Sequence, residues 1–109
     1  MVKEEIRKKI EGHSLTVVMF GETFHVHARV KQYPSKRLAI QYSMSDGEPF
    51  GTLTANVPEI TNLMDDEIIV RTTEENKALA KAALATGIFT DTHRRIQSGF
   101  IQLSVWRIN

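Results

Sequence analysis

The chain contains no cysteine, which removes disulfides and thiolate chemistry together and fits a reducing compartment without requiring one. It has no apolar run approaching the 18 or so residues of a membrane span. The stretch Met1-Val2-Lys3-Glu4-Glu5-Ile6-Arg7-Lys8-Lys9 carries charge where a signal peptide needs an apolar core. Excess charge is missing too. Fourteen Lys and Arg against thirteen Asp and Glu leave a formal net charge of +1, so no bulk field draws the protein to nucleic acid or to an anionic membrane. The six glycines fall singly at turns and helix ends, and no Gly-rich phosphate loop can be built from them. No Gly-x-Ser-x-Gly occurs, and no Ser/His/Asp set is singled out by spacing. Carboxylates are plentiful, but none falls on an apolar strand face where burial would tune it. These absences set the expectation of a cytoplasmic, non-enzymatic protein with no cofactor and no membrane partner.

What is present reads as one domain spanning residues 1–109. At 41% apolar and 25% charged the composition is that of a globular protein. A chain this long buries roughly 65% of its unfolded surface, enough for a core without covalent staples. Val2, Ile6 and Ile10 recur at helical spacing and predict a short first helix that Gly12 stops. Leu15, Val17 and Met19 then alternate with Thr16, Val18 and Phe20, and after Gly21-Glu22 the residues Phe24, Val26, Ala28 and Val30 alternate with Thr23, His25, His27 and Arg29. A type II′ turn at Gly21-Glu22 predicts a hairpin pairing Met19 with Phe24, Val17 with Val26 and Leu15 with Ala28, with the apolar side chains on one face. Tyr33-Pro34-Ser35 marks a turn, Leu38, Ile40, Tyr42 and Met44 a third strand, and Ser45-Asp46-Gly47-Glu48-Pro49 another turn. Leu53, Ala55 and Val57 predict a fourth strand ended by Pro58, and Ile68-Ile69-Val70 a short further one.

Thr72-Thr73-Glu74-Glu75 fits a capping box, so a helix is expected from about residue 73 to 86, stopped by Gly87, with Leu79, Ala80, Ala83 and Leu84 as its apolar stripe. Residues 90–98 are polar and read as loop. Residues 100–108 carry apolar side chains on both faces, which predicts a strand covered on both sides and central in its sheet. Tyr42 and Trp106 belong to the core or its rim. The expected fold class is α+β: an antiparallel meander of about four to five strands, one long helix packed on one face and a short N-terminal helix.

Several segments occur together in a particular order. Leu53-Thr54-Ala55-Asn56-Val57-Pro58-Glu59 precedes Asp66-Glu67-Ile68-Ile69-Val70-Arg71-Thr72-Thr73-Glu74-Glu75-Asn76, then Thr86-Gly87-Ile88-Phe89-Thr90-Asp91-Thr92, then Ser98-Gly99-Phe100-Ile101-Gln102. This order resembles an uncharacterised family of small proteins carried by phages, plasmids and conjugative elements, over residues 23–109. Many of its members have Thr-Gly-Arg where this chain has Thr92-His93-Arg94. The resemblance implies a setting among accessory genes of mobile elements, many of whose products bind and blunt host defences; it implies no chemistry.

Three groups of side chains are candidates for function. His25 and His27 lie two apart on one strand, so both imidazoles face the same way and could share a metal ion as a small hydrolase would, but no neighbour in sequence supplies a third ligand. Arg29 and Lys31 continue that face, and Lys36 and Arg37 add charge across the turn, making a surface for an acidic protein patch or for phosphates. His93-Arg94-Arg95, in the expected loop, is a second anion contact. The leading expectation is a binding protein of a mobile element that occludes a host or mobile-element protein, an anti-CRISPR-like inhibitor among the options. The alternatives are a nucleic-acid-binding accessory protein and a metal-dependent hydrolase at His25 and His27.

Overall fold

The computed structural model describes residues 4–57, 59–60 and 62–109. Helix α1 (Glu4–Glu11) leads into strands β1 (Ser14–Met19), β2 (Glu22–Gln32), β3 (Leu38–Met44) and β4 (Pro49–Thr52). Strand β5 (Glu67–Val70), helix α2 (Lys77–Ala85, entered through a 3₁₀ turn at Glu74–Asn76), β6 (Phe89–Ser98) and β7 (Ile101–Ile108) follow. The α+β class is as expected. The single meander is not: the seven strands form a four-stranded sheet in the order β1-β2-β3-β4 and a three-stranded sheet in the order β5-β7-β6.

The division arises at residues 53–55. They do not extend β4 as a strand but hold the two sheets to each other. The Leu53 N–H donates to the Ile40 carbonyl at 2.9 Å, the Ala55 N–H to the Ile69 carbonyl at 3.0 Å, and the Arg71 N–H to the Leu53 carbonyl at 2.9 Å. Thr54 bridges to Val70, and its hydroxyl accepts the Ile40 N–H at 3.0 Å. Leu53, which the sequence places in a simple fourth strand, is wholly buried at this junction. The expected stop at Pro58 and the helical position of Val2 lie outside the described residues.

One core fills the space between the sheets. Leu15, Val17, Val26, Ala28, Val30, Ile40 and Tyr42 meet Ile68, Val70, Trp106 and Ile108 from the second sheet, and Ile10 and Leu79, Ala80 and Ala83 from the helices. Helix α2 packs on β1 and also on β6, the outer strands of the two sheets, and so spans the gap between their ends. Gly51 on β4 makes room for the Leu79 side chain of this helix: a Cβ there would stand 3.2 Å from Leu79 Cδ2, tighter than an ordinary contact. A smaller cluster of Val57, Ile69 and Leu103 forms on the other side of the second sheet, with Ala55, Ile60, Leu63 and Ile96 against it. Strand β7 is thus central and apolar on both faces from Leu103 onward, as expected, but Phe100, expected on its covered face, lies in the turn before it and is fully exposed.

Local rules account for most boundaries. The helix α2 ends before Gly87, whose φ of 81° closes the turn. Its start differs from the expected capping box: Thr73 precedes the 3₁₀ turn without a side-chain cap bond, and the Thr72 hydroxyl lies 3.3 Å from that of Ser104 instead. Helix α1 has a second task beyond burying Ile10. Strand β1 pairs with β2 only as far as Ser14 opposite His27, which leaves the end of β2 without a neighbour on that side. Glu11 accepts the Val30 N–H at 2.8 Å and Arg7 donates to the Val30 carbonyl at 3.0 Å, so two side chains satisfy a strand edge that would otherwise be open.

The first hairpin slides by two residues from its expected register. Met19 stands opposite Glu22, Val17 opposite Phe24 and Leu15 opposite Val26, with Phe20 and Gly21 in the turn at φ 54° and 75°. Both positive values make a type I′ turn rather than type II′. A slip of two preserves the side-chain alternation, so every predicted face survives.

Candidate functional site

The outer face of the first sheet is built from alternate positions: Ser14, Thr16 and Val18 on β1; Thr23, His25, His27, Arg29 and Lys31 on β2; Gln41 and Ser43 on β3, with Ala39 of the same row buried. The positions between them point into the core. His25, His27, Arg29 and Lys31 are all exposed, as expected, and none makes an ion pair among the described residues. Among the described residues no carboxylate occupies this face. Its cations are therefore uncompensated and meet water directly.

The hairpin tip adds an apolar group that the sequence reading placed in a strand. Phe20 is 93% exposed, and Val18, on the outer face beside it, is 65% exposed. A left-handed backbone conformation in a phenylalanine is uncommon and costs free energy. The signal for it lay in the sequence: Gly21 serves the second position of a type I′ turn as readily as the first of a type II′ turn.

The other cationic candidates are placed differently. Arg37 is half-buried and its guanidinium donates to the Ile60 carbonyl, so it fastens the segment after residue 55 and does not join the β2 face. The predicted loop at residues 90–98 is strand β6, with a bulge between Asp91 and Arg94. His93 sits in the bulge at φ 67°, exposed, its N–H donating to Asp91 at 2.8 Å. Arg94 makes two bonds to Glu67, at 3.0 and 3.1 Å, and Arg95 donates to both Asp91 oxygens at 3.1 and 3.3 Å. Both guanidiniums of this triplet are thus neutralised by the fold. Burial pushes the Asp91 carboxyl up, but the His93 N–H and the Arg95 guanidinium outweigh it and hold the group below its usual value.

Among the described residues no three His, Asp or Glu side chains come together to hold a metal ion. His25 Nδ1 lies 3.3 Å from the Thr16 hydroxyl, and a hydrolase at His25 and His27 has no third ligand to draw on. The remaining imidazole of interest, His13, is half-buried at the rim of the core. His13 Nε2 meets the Tyr42 hydroxyl at 3.3 Å, and its ring stands edge-on to those of Tyr42 and Phe89. Burial lowers the His13 pKa; the nearby carbonyls of Ile10 and Lys9 push the other way without completing a bond to Nδ1, which has no partner. Burial likewise pushes the Tyr42 phenol well above its ordinary value. This pair belongs to the core and not to a reactive cleft.

A groove opens beside the cationic face. Arg29 pairs with Gln41 across β2 and β3, and Gln41 with Thr52 across β3 and β4. That row leads into a cavity of about 430 Å³ at the junction of the two sheets, walled by Gln41, Thr52, Tyr33, Asn56, Arg71 and Leu103 among others. Arg71 was not a candidate in the sequence because nothing near it in the chain marks it; only the crossing at residues 53–55 brings it here. No family model, no curated protein and no solved structure matches this chain.

Proposed function

We propose that the protein is a non-enzymatic binding protein whose working surface is the outer face of β1, β2 and β3 together with the Phe20 tip, and that it acts by covering an acidic patch on a partner protein. The observation that carries this reading is the pairing of a carboxylate-free row (His25, His27, Arg29 and Lys31) with a wholly presented aromatic ring at its end. Charge on such a face steers a partner into register, while an aromatic anchor supplies contact free energy. Burying a phenylalanine contributes about 1.5–3 kcal/mol, about one to two decades of affinity. The ordered motifs from Leu53 to Gln102 support a mobile-element setting, in which the partner is a component of host defence and occlusion is the mode of inhibition.

The test is co-purification from bacterial lysate with the native chain beside Arg29→Glu/Lys31→Glu and Phe20→Asn variants. A stoichiometric protein partner retained by the native chain and lost from both variants is the expected result. Equal recovery by all three would refute the assignment of the surface.

A second reading keeps the same face but gives it a phosphate backbone. It is favoured by Arg29 and Lys31 two residues apart on one strand face, continued by His25 and His27, with no acid among them. Against it stand a sequence pI near 8.1 and the lack of Tyr, Trp or Phe on the flat part of that face, where single-stranded bases would stack. Nucleic-acid binding that weakens steeply with salt, and weakens less steeply after charge reversal at Arg29 and Lys31, would select this reading over the first.

A further inference from the structure

We propose that the groove at the junction of the sheets is a binding site for a single carboxylate attached to a branched apolar body, with Arg71 as its anion anchor. The inference stands apart from the partner-binding reading, since Arg71, Asn56, Val57 and Leu103 lie outside that surface and only Gln41 borders both.

Arg71 is held in place by its backbone and left free at its head. Its N–H donates to the Leu53 carbonyl and its own carbonyl accepts the Asn76 side-chain amide at 2.8 Å. The side chain is exposed, and no carboxylate pairs with it among the described residues. Every other arginine brought into a structural role in this fold has a carboxylate or carbonyl partner, so an unpaired one lining a cavity is an open valence. No acidic residue lines the groove.

The remaining wall narrows the ligand class. The Asn56 side-chain oxygen accepts the Ser35 hydroxyl at 2.9 Å, which leaves the Asn56 amide N–H groups as donors toward the groove. The Tyr33 hydroxyl is occupied by Thr54, at 3.2 Å to its carbonyl and 3.1 Å to its hydroxyl, and so makes a fixed wall. Val57 and Leu103 supply an apolar patch. One guanidinium balances one negative charge, and its planar fork matches a carboxylate in two parallel bonds. A polyanion would leave its further charges unpaired here. The cavity volume lies toward the small end of ligand sites and exceeds one leucine residue, so it admits a leucine-sized body together with its carboxylate and a short flanking stretch. Two sources share that chemistry: the terminal residue of a peptide and a free branched-chain acid.

The experiment is an amide ¹H–¹⁵N titration of the full chain with N-acetyl-leucine, N-acetyl-leucinamide, a tripeptide ending in leucine and 4-methylpentanoate. Saturable shifts at Asn56, Val57, Arg71 and Leu103 are expected with the carboxylates. Binding should weaken on the order of tenfold or more for the amide, and by a similar factor in Arg71→Gln. Arg71→Lys should fall between, since it keeps the charge and loses the fork. Tighter binding of the tripeptide than of 4-methylpentanoate assigns the site to a chain terminus, and the reverse assigns it to a free acid; both uphold the proposal. Absence of saturable shifts, shifts centred elsewhere, or unchanged affinity in Arg71→Gln with a native-like spectrum would overturn it. The Phe20→Asn variant, altered at the β1–β2 turn and outside the groove lining, should titrate as the native chain does, so failure of one proposal leaves the other standing.

Discussion

Replacing Phe20 with asparagine should make the protein more stable and a poorer binder. Phe20 holds φ at 54° and Gly21 at 75°, the two left-handed positions of a type I′ turn, for which Asn-Gly is the favoured pair. A side chain other than glycine or asparagine in that conformation costs roughly 1–2 kcal/mol. The ring offsets little of this, because it is 93% exposed and loses almost no burial when removed. The gain on mutation is therefore about 1 kcal/mol. With an unfolding entropy near 2.1 cal/mol/K per residue, a chain of 109 residues has a transition entropy of about 0.23 kcal/mol/K, so the melting temperature rises by about 4 °C. Thermal unfolding followed by circular dichroism, with urea unfolding as a second measure, reads this directly. Loss of partner binding by ten- to a hundredfold should accompany it, from the phenylalanine burial forgone at about 1.5–3 kcal/mol. A melting temperature equal to or below that of the native chain would show that the turn is not strained as described. A stabilised variant that binds as well as the native chain would remove Phe20 from the contact surface.

Other substitutions probe what the fold consumes. Glu11→Ala removes the acceptor for the Val30 N–H and should cost about 1–3 kcal/mol; because it opens the end of β2, sedimentation should also show new self-association. Arg94→Ala leaves Glu67, whose side chain is only 9% exposed, with an uncompensated charge, and should cost about 1–2 kcal/mol after allowance for partial solvent access. Arg95→Ala breaks a more open pair and should cost less than half as much in the same urea titration. His13 has a depressed folded pKa, so its contribution to stability is present above its unfolded value near 6.5 and is lost as pH falls toward the folded value. Urea midpoints measured between about pH 5 and about pH 8 should show that loss in the native chain and a flatter profile in His13→Gln.

The strand faces were legible because alternation survives errors of register. The hairpin slid by two residues, yet Val17, Val26 and Ala28 still face the core and His25, His27 and Arg29 still face water. The end of α2 was legible because Gly87 is a local signal. The split into two sheets was not, since nothing in Leu53-Thr54-Ala55 says that Leu53 bonds to both Ile40 and Arg71; those partners are set by tertiary pairing. Strand β6 read as a loop because its side chains are mostly polar. Their polarity is satisfied within the fold, Arg94 by Glu67 from 27 residues away and Arg95 by Asp91 only because the bulge turns the strand. Phe20 was hidden by an ambiguity of one position in the turn.

The same distinction decides which cations can serve function. A basic residue in the sequence is a candidate contact, but a guanidinium already committed to a carboxylate or carbonyl must break that bond before it can greet a partner. Arg7, Arg37, Arg94 and Arg95 are committed in this way: to the edge of β2, to the segment after residue 55, and to the carboxylates of β5 and β6. Recruiting any of them costs stability as well as desolvation. Lys8, Lys36, Lys77, Lys81 and Arg107 are exposed but scattered over α1, a turn, α2 and β7, too dispersed to act as one field. Arg29 and Lys31 are both uncommitted and collected on one face, where their potentials add, with His25 and His27 exposed beside them. Loss of binding should therefore track charge reversal on β2 and not at residues 94 and 95, where the same reversal acts through unfolding instead.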